Sequence, residues 1–322
     1  MKIIFLTIIT FSIISCNTTE PLIETEWQIS GPVLFVSNKS GTMQLYSMNL
    51  EGTDVKQLTD DPNFPITDAK WSPNGQMIVL TSPSTTEIKY GADIYIVNAD
   101  GTNKRKITGD ALSGVHYGSG EKPNWSNDTK SLVFSRLMYP EAIGNTDIYT
   151  INIDGTNEKR ITSTISISEM WPSYSCDDKN ILAMSIHWNT VDSTGNSIQH
   201  FTTAIFDLDG NIMSEFGIAG EGWYVPIWSY DCSKILFTLS NNLYMKNIYS
   251  MNYDGTNLVR ISFDNYKFYH GVVWTKENKI IYNTANKYYY NKIFIINSDG
   301  SGIKDITPFE AEIVEATSVK LN

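Results

Sequence analysis

The chain has 322 residues, 41% of them hydrophobic and 18% charged, with a net charge of −11. It has no long polar tract, so it can bury a large core and is not a disordered chain. An acidic chain without a basic stripe is a poor partner for phosphate, which excludes nucleic acid, and the surplus carboxylates read as solvation.

In chain order, the first residues form a targeting segment rather than part of the fold. Lys2 is a short positive region, Ile3 to Ile14 an apolar run too short to span a bilayer, and small Ser15 precedes Cys16. Ile13-Ile14-Ser15-Cys16 resembles the lipobox of bacterial lipoprotein signals. That resemblance implies a signal peptide over 1–15, acylation of Cys16, and a tether over 16–26 that leads to the domain at 27–322. The acyl chains would be the chain's one contact with a membrane, in the cell envelope and by expectation at the outer membrane. An ordinary secretory peptide with a chance Cys is the alternative, and it too exports the chain.

The domain repeats a unit that is clearest from Ile94 to Thr108, an apolar strand, Asp100-Gly101 and a second strand ending in Ile107-Thr108. Copies run Leu45 to Thr59, Ile148 to Thr162, Ile248 to Ser262 and Ile293 to Thr307, with a worn copy at Ala204 to Phe216. Asp-Gly between strand-like runs predicts a hairpin with a type I′ turn, because Gly adopts positive φ without steric cost. Each hairpin is followed by an aromatic residue, a tight turn and an apolar strand: Trp71-Ser72-Pro73-Asn74-Gly75 before Ile78, then Trp125, Tyr174, Trp228 and Trp274, with Trp27 leading to Val33.

Six periods of about 45 to 55 residues, each with four short strands, predict an all-β, six-bladed β-propeller. We label the strands of a blade a to d, from the channel outward. The landmark tryptophans are core by expectation. Thr317 to Leu321 aligns with Thr67 to Trp71, so the C-terminal strand is expected to complete the first blade and leave no open sheet edge. Leu22 to Trp27 competes for that slot. Deleting residues 313–322 should therefore abolish the cooperative melt of the whole domain, and a melt at unchanged temperature would overturn the closure. Cys176 and Cys232 fall in equivalent turns of successive repeats; export would let a disulfide persist, and two buried thiols are the expectation favoured over that pair.

These landmarks resemble the TolB-like, or PD40, class of WD40-like repeats. The likeness is carried best by Trp71 to Gly75 and by Ile148-Tyr149 through Asp154-Gly155 to Ile161-Thr162. The resemblance to TolB itself is confined to the propeller, since TolB carries an additional N-terminal α/β domain and nothing of that size is expected before Trp27, so TolB's own role is not implied for this chain. The fourth unit departs, since Phe206 to Gly210 lacks the usual Asn and the closing Ile-Thr.

In such a ring the a-to-b and c-to-d turns share one face, and the b-to-c and d-to-a connections share the other. The second set is longer and varied, with loops expected over Ser185 to Thr202 and Ser240 to Asn247 among others. It holds His116, His187, His200 and His270, and many aromatics, so it is read as the binding face. Four positions before each aromatic landmark, at the channel mouth, stand residues such as Glu121, Tyr224 and His270, with Asp68 and Glu169 adjacent. Asp68, Glu121, Tyr224 and His270 are the candidate channel-mouth ligand residues, and His116, His187, Trp188 and Trp223 the candidate rim residues.

Chemistry finds little support. There is no Gly-x-Ser-x-Gly elbow and no His-Glu-x-x-His, and a metal trio of His116, Glu121 and His270 would need three loops to converge. The Asp207 to Asn211 run lacks the distal carboxylate of a calcium loop. The expectation is a non-enzymatic chain with no cofactor and no metal, binding an envelope protein or peptide. The alternative is a glycan-binding or glycan-cleaving propeller, similar to polysaccharide lyases of this fold.

Overall fold

The repeated landmarks fold into antiparallel sheets whose b strands are buried on both faces and whose short outer strands are largely exposed. A computed structural model of the chain describes residues 33–83, 92–108, 122–137, 145–191, 197–217, 222–242, 245–262, 268–285, 290–309 and 314–319. Blade one holds β1 (Val33–Ser37), β2 (Gln44–Met48) and β3 (Lys56–Gln57), and blade two β4 (Asp68–Trp71), β5 (Met77–Pro83), β6 (Ala92–Asn98) and β7 (Arg105–Lys106). Blade three holds β8 (Asn124–Trp125), β9 (Ser131–Leu137), β10 (Thr146–Asn152) and β11 (Lys159–Arg160). Blade four is longer, with β12 (Ile167–Tyr174), β13 (Asn180–Val191), β14 (Ser197–Asp207) and β15 (Ile212–Gly217). Blade five holds β16 (Gly222–Trp228), β17 (Lys234–Asn242), β18 (Met245–Asn252) and β19 (Val259–Arg260), and blade six β20 (Phe268–Trp274), β21 (Lys279–Ala285), β22 (Tyr290–Asn297) and β23 (Lys304–Asp305).

The last strand, β24 (Val314–Val319), pairs with β1 and completes blade one as a fourth strand. The C-terminal strand thus takes the slot expected of it, with a shifted register: Val319, rather than Leu321, lies opposite Val33, where Trp71 lies opposite Ile78 in blade two. The competing Leu22 to Trp27 stretch lies outside the described residues.

Both faces of each b strand are buried because each sheet packs between two others. Leu34 and Val36 join Trp71, Ile78 and Leu80 of blade two, while Val33 and Phe35 join Ile281, Ile293 and Ile306 of blade six. Four further clusters link blades two and three, three and four, four and five, and five and six, so the packing returns to its start. Trp71, Trp125 and Trp274 are buried within these clusters, as expected of core positions.

The Asp-Gly turn differs from the type I′ expectation. Gly101 N donates to Asn98 O, and Asn98 N to Thr102 O, while only Gly101 of the turn's central residues has positive φ, at 85°. This is a type I turn followed by a left-handed Gly, the three-residue hairpin loop. Glycine is required twice over at this position, since a Cβ would also lie 1.9 Å from Leu58 O of the preceding blade. Asp100 accepts from Thr102 N and Thr102 Oγ1, which explains its recurrence as an Asx-type brace. The closing Ile-Thr has its own cause: Thr108 Oγ1 accepts from Ile94 N, finishing the ladder where the two-residue outer strand stops, and Thr59, Thr162, Ser262 and Thr307 do the same in their blades.

The a-to-b turns carry a second brace, Ser72 Oγ to Asn74 Oδ1, repeated by Ser126 with Asp128, Ser175 with Asp177 and Ser229 with Asp231. These turns also touch across blades. Asn127 N and Nδ2 donate to Asp178 Oδ1 of the next blade, each at 2.8 Å. One blade further on, the same two turn positions hold Cys176 and Cys232, which form a disulfide with Cα atoms 5.9 Å apart. The expectation of two buried thiols is therefore overturned, and Cys176 is exposed rather than buried.

Candidate functional site on blade four

Blade four departs from the common plan at one residue. After Gly101 in blade two comes Thr102 and then Asn103 in the left-handed region, at φ 57°, and this kink limits the outer strand to two residues. The matching position in blade four is Ile212, a β-branched residue that the left-handed region penalises. The chain instead enters β15 at Ile212 and pairs with β14 from Ile212 to Gly217.

The inner hairpin is also extended. The stretch Ser185 to Thr202, expected as a loop, is largely strand: β13 runs on to Val191 and β14 starts at Ser197. The same holds for Ser240 to Asn247, most of which is paired in β17 and β18. The β-branched and aromatic content of this blade-four hairpin, from Ile186 to Phe201, suits a continued ladder.

The two extensions meet at a polar cluster. His187 and His200 are opposite each other in β13 and β14, their rings 5.9 Å apart and tilted by 70°. His187 Nε2 lies 2.7 Å from Glu215 Oε1, and Thr202 Oγ1 donates to that same oxygen at 2.6 Å. Glu215 holds the outer-strand slot that Lys106 and Arg160 hold in blades two and three, and it meets Thr202 where those residues meet Asp93 and Asp147.

Beside the cluster, a bulge in β13 between His187 and Thr190 turns Trp188 toward the inner strand. Its backbone N donates to Ser166 O at 3.0 Å and its Nε1 to Ser168 Oγ at 2.9 Å. The indole is thereby fixed at both ends while 38% of the residue stays exposed. Ile165, in the same connection, is 88% exposed, and Asn145 Nδ2 donates to its carbonyl.

Beneath this shoulder Glu169 is 1% exposed. It accepts from Thr164 Oγ1 at 2.8 Å and Thr162 Oγ1 at 3.1 Å. Burial pushes its carboxyl up to about 7, with nearby Asp147 adding to the rise and the two threonine bonds opposing it. Asp147 is itself raised by burial, with Arg160, whose Nη2 lies 2.5 Å from Asp147 Oδ2, pulling the other way.

The channel-mouth residues sit as follows. Asp68 is in β4 opposite Thr81, buried, with Oδ2 accepting no hydrogen bond. Tyr224 and Trp223 are in β16 opposite Thr238 and Leu239, and His270 is in β20 opposite Asn283. Glu121, His116 and Cys16 lie outside the described residues. Inner strands β12, β16 and β20 each bulge just after the mouth position, with Trp171 at φ 55°, Val225 at 47° and Gly271 at 56°. A left-handed Val is uncommon backbone, and its recurrence at one slot in three blades marks a shared bend of the channel wall.

A second concavity opens at the other end of the inner strands, among the a-to-b turns. It is a cavity of about 210 Å³ whose wall includes Lys70, Trp71, Trp125, Ser173, Tyr174 and Trp228. Sequence reasoning treated this face as monotonous, because its turns are short and alike. It missed Glu215 as well, an acid in the outer-strand slot that holds Lys106 and Arg160 in blades two and three. The signal for both was present in part: Glu215 in a slot that holds Lys106, Arg160 and Arg260 in three other repeats, and Cys in two adjoining turn slots.

Among the described residues no group of three His, Cys, Asp or Glu side chains is placed to hold a metal ion. The arrangement as described offers recognition: a fixed, part-exposed indole, a protruding Ile and a polar His–Glu cluster on one raised blade.

Six four-stranded blades packed in sequence make this chain a six-bladed β-propeller. Its repeats are TolB-like, as three comparisons bear out. It is 32% identical over 130 residues to the TolB homolog of Chlorobaculum tepidum, a match covering 40% of this chain and 26% of that protein. It is 30% identical over 154 residues to the TolB homolog of Chlorobium luteolum, covering 48% of this chain and 31% of that one. The matched stretches thus span about a third or less of these relatives. In structure it resembles TolB from Acinetobacter baumannii with a TM-score of 0.66 at 19% identity, over 91% of this chain and 67% of that one. No family model matches the chain. Enzymes share the fold, a tricorn protease among them.

Proposed function

We propose that this chain is a non-catalytic propeller of the cell envelope that binds a protein or peptide through its loop-rich face, with the blade-four shoulder as the main contact. The observation that carries this is Trp188, a large part-exposed side chain held by backbone and indole hydrogen bonds to Ser166 and Ser168; Ser166 follows the exposed Ile165, whose carbonyl accepts from Asn145. Exposed apolar groups that are already rigid lose little entropy on binding, and a Trp in such a setting is the commonest energetic anchor of a protein interface. His187, Glu215 and His200 would supply a polar rim, and Asp68, Tyr224, His270 and Glu121 the floor at the channel mouth. The likeness to TolB homologs supports a binding role, and the Cys176–Cys232 disulfide supports an oxidising compartment outside the cytoplasm. In this reading Cys16 is acylated and tethers the propeller to a membrane.

The test is a cross-linked capture of the full acylated chain from its own envelope, followed by mass spectrometry. A reproducible protein partner is expected, with capture reduced about thirtyfold by Trp188→Ala, the loss of an interface anchor of about 2 kcal/mol. The melting temperature should stay unchanged. Recovery of polysaccharide without a protein partner would overturn the reading in favour of a glycan-binding propeller. Capture insensitive to Trp188→Ala and Ile165→Ser, yet lost with His270→Ala and Tyr224→Ala, would move the contact from the shoulder to the channel mouth.

A further inference from the structure

The cavity among the a-to-b turns lies at the opposite end of the inner strands from the shoulder, and its chemistry is distinct. We propose that it binds a small organic anion, a carboxylate carried on an aromatic or compact apolar body.

The apolar part of the wall joins aromatic rings to aliphatic groups: Trp71, Trp125 and Tyr174 border the cavity together with Ile227, Val272 and Val273, and the two tryptophans are fixed in the packing between blades. A volume of about 210 Å³ exceeds that of an apolar cavity known to take up benzene, roughly 150 Å³. One ring with a carboxylate therefore fits.

The polar part includes an ammonium and two buried groups without a partner, beside Asn124, Asn127 and Ser229. Among the described residues Lys70 makes no ion pair; burial lowers its pKa, Asp68 opposes that and Lys122 adds to it. Ser173 Oγ and Trp228 Nε1 are buried without an acceptor. The position of Trp228 shows why this is unusual. At the same slot Trp125 Nε1 donates to Lys70 O at 3.1 Å, and Trp274 Nε1 to Asn278 Oδ1 at 2.9 Å. In blade five the turn position of Asn278 is occupied by Cys232, whose sulfur is committed to the disulfide, so the indole of Trp228 lacks that acceptor.

Buried donors without acceptors are costly, by about 1–3 kcal/mol each, and call for a partner that brings lone pairs. Two neutral donors and one ammonium, with an aromatic wall, select an anion over a neutral or cationic ligand.

The test uses phenylacetate and benzoate as probes, with phenylacetamide and phenethylamine as neutral and cationic controls, titrated into the full chain by calorimetry and tryptophan fluorescence. The acids should bind saturably, at least about tenfold tighter than the amide, with no binding of the amine. Lys70→Met should weaken the acids about tenfold or more and leave the amide unchanged. Trp228→Phe, which keeps the ring and removes the donor, should weaken the acids by a smaller factor. A circular dichroism melt confirms that each variant is folded. Absence of saturable acid binding, equal binding of acid and amide, or indifference to both substitutions in folded protein would each overturn the proposal.

Discussion

In blade two the outer strand stops after Arg105 and Lys106, and Thr108 Oγ1 finishes the ladder with a side-chain bond to Ile94 N. In blade four the outer strand runs from Ile212 to Gly217 and the ladder is finished by backbone pairing, out to Thr202 opposite Gly217. The core positions of the two blades are equivalent: Ile78 and Leu80 pack on the preceding blade as Ile181 and Ala183 do. The difference teaches that burial fixes the blade while the turn residue after Gly fixes how far the blade extends. The outer-strand pair itself is common to both blades, Lys106 with Asp93 in blade two and Glu215 with Thr202 in blade four, and the longer β13–β14 hairpin adds His187 to it.

The contrast can be broken most strongly at the Cys176–Cys232 bridge, which blade four makes to blade five where blade three uses Asn127 and Asp178. Cys176→Ser with Cys232→Ser should cost about 2–4 kcal/mol, because a loop closed across 56 residues is freed in the unfolded chain. A chemical denaturation series under non-reducing conditions reads it, and an unchanged midpoint would show that the bridge is no more than another turn contact.

Next in size is the buried carboxyl of Glu169. Its folded pKa of about 7 stands above the ordinary value of 4.5, so the folded state holds a proton that the unfolded state has released. Stability should fall as pH rises from about 4.5 through 7 and level off above that, by about 3 kcal/mol in all. Glu169→Gln should flatten this slope while keeping acceptor capacity toward Thr162 and Thr164. Parallel melts at pH 5 and 8 decide it, and a slope that survives the substitution would assign the pH dependence to Asp147 or elsewhere.

The smallest effect belongs to the polar contact between blades three and four. Asn127→Ala removes the Nδ2 bonds to Asp178 Oδ1 and Ser175 O and leaves the backbone N donor in place, for a loss of about 1 kcal/mol. A loss as large as that from the disulfide would mean that the slot itself, not the covalent bond, holds the blades together.

Much of the ring was legible before any coordinates. The Trp-Ser and Asp-Gly landmarks count six blades, the runs of consecutive apolar residues show sheets buried on both faces, and the C-terminal alignment places the closing strand. The turn type was not legible, because Asp-Gly serves two hairpin loops equally well, and neither was the second demand for Gly101, the carbonyl of Leu58 that the previous blade brings to within 1.9 Å of where a Cβ would stand. Nor was the length of β13 and β14, since Ser, Asn and Thr between Val191 and Ser197 read as loop while the flanking residues find cross-strand partners.

Residue chemistry and spacing alone determined the all-β class, the number of blades and the residues that make their cores, because period and burial are local properties that repeat. Tertiary structure alone decided the disulfide, the raised carboxyl of Glu169, the meeting of His187 with Glu215 and the donor-lined cavity at Lys70, Ser173 and Trp228. Each of these depends on groups from different strands or blades arriving at one place, and on how much water that place excludes, neither of which is written in a single stretch of chain.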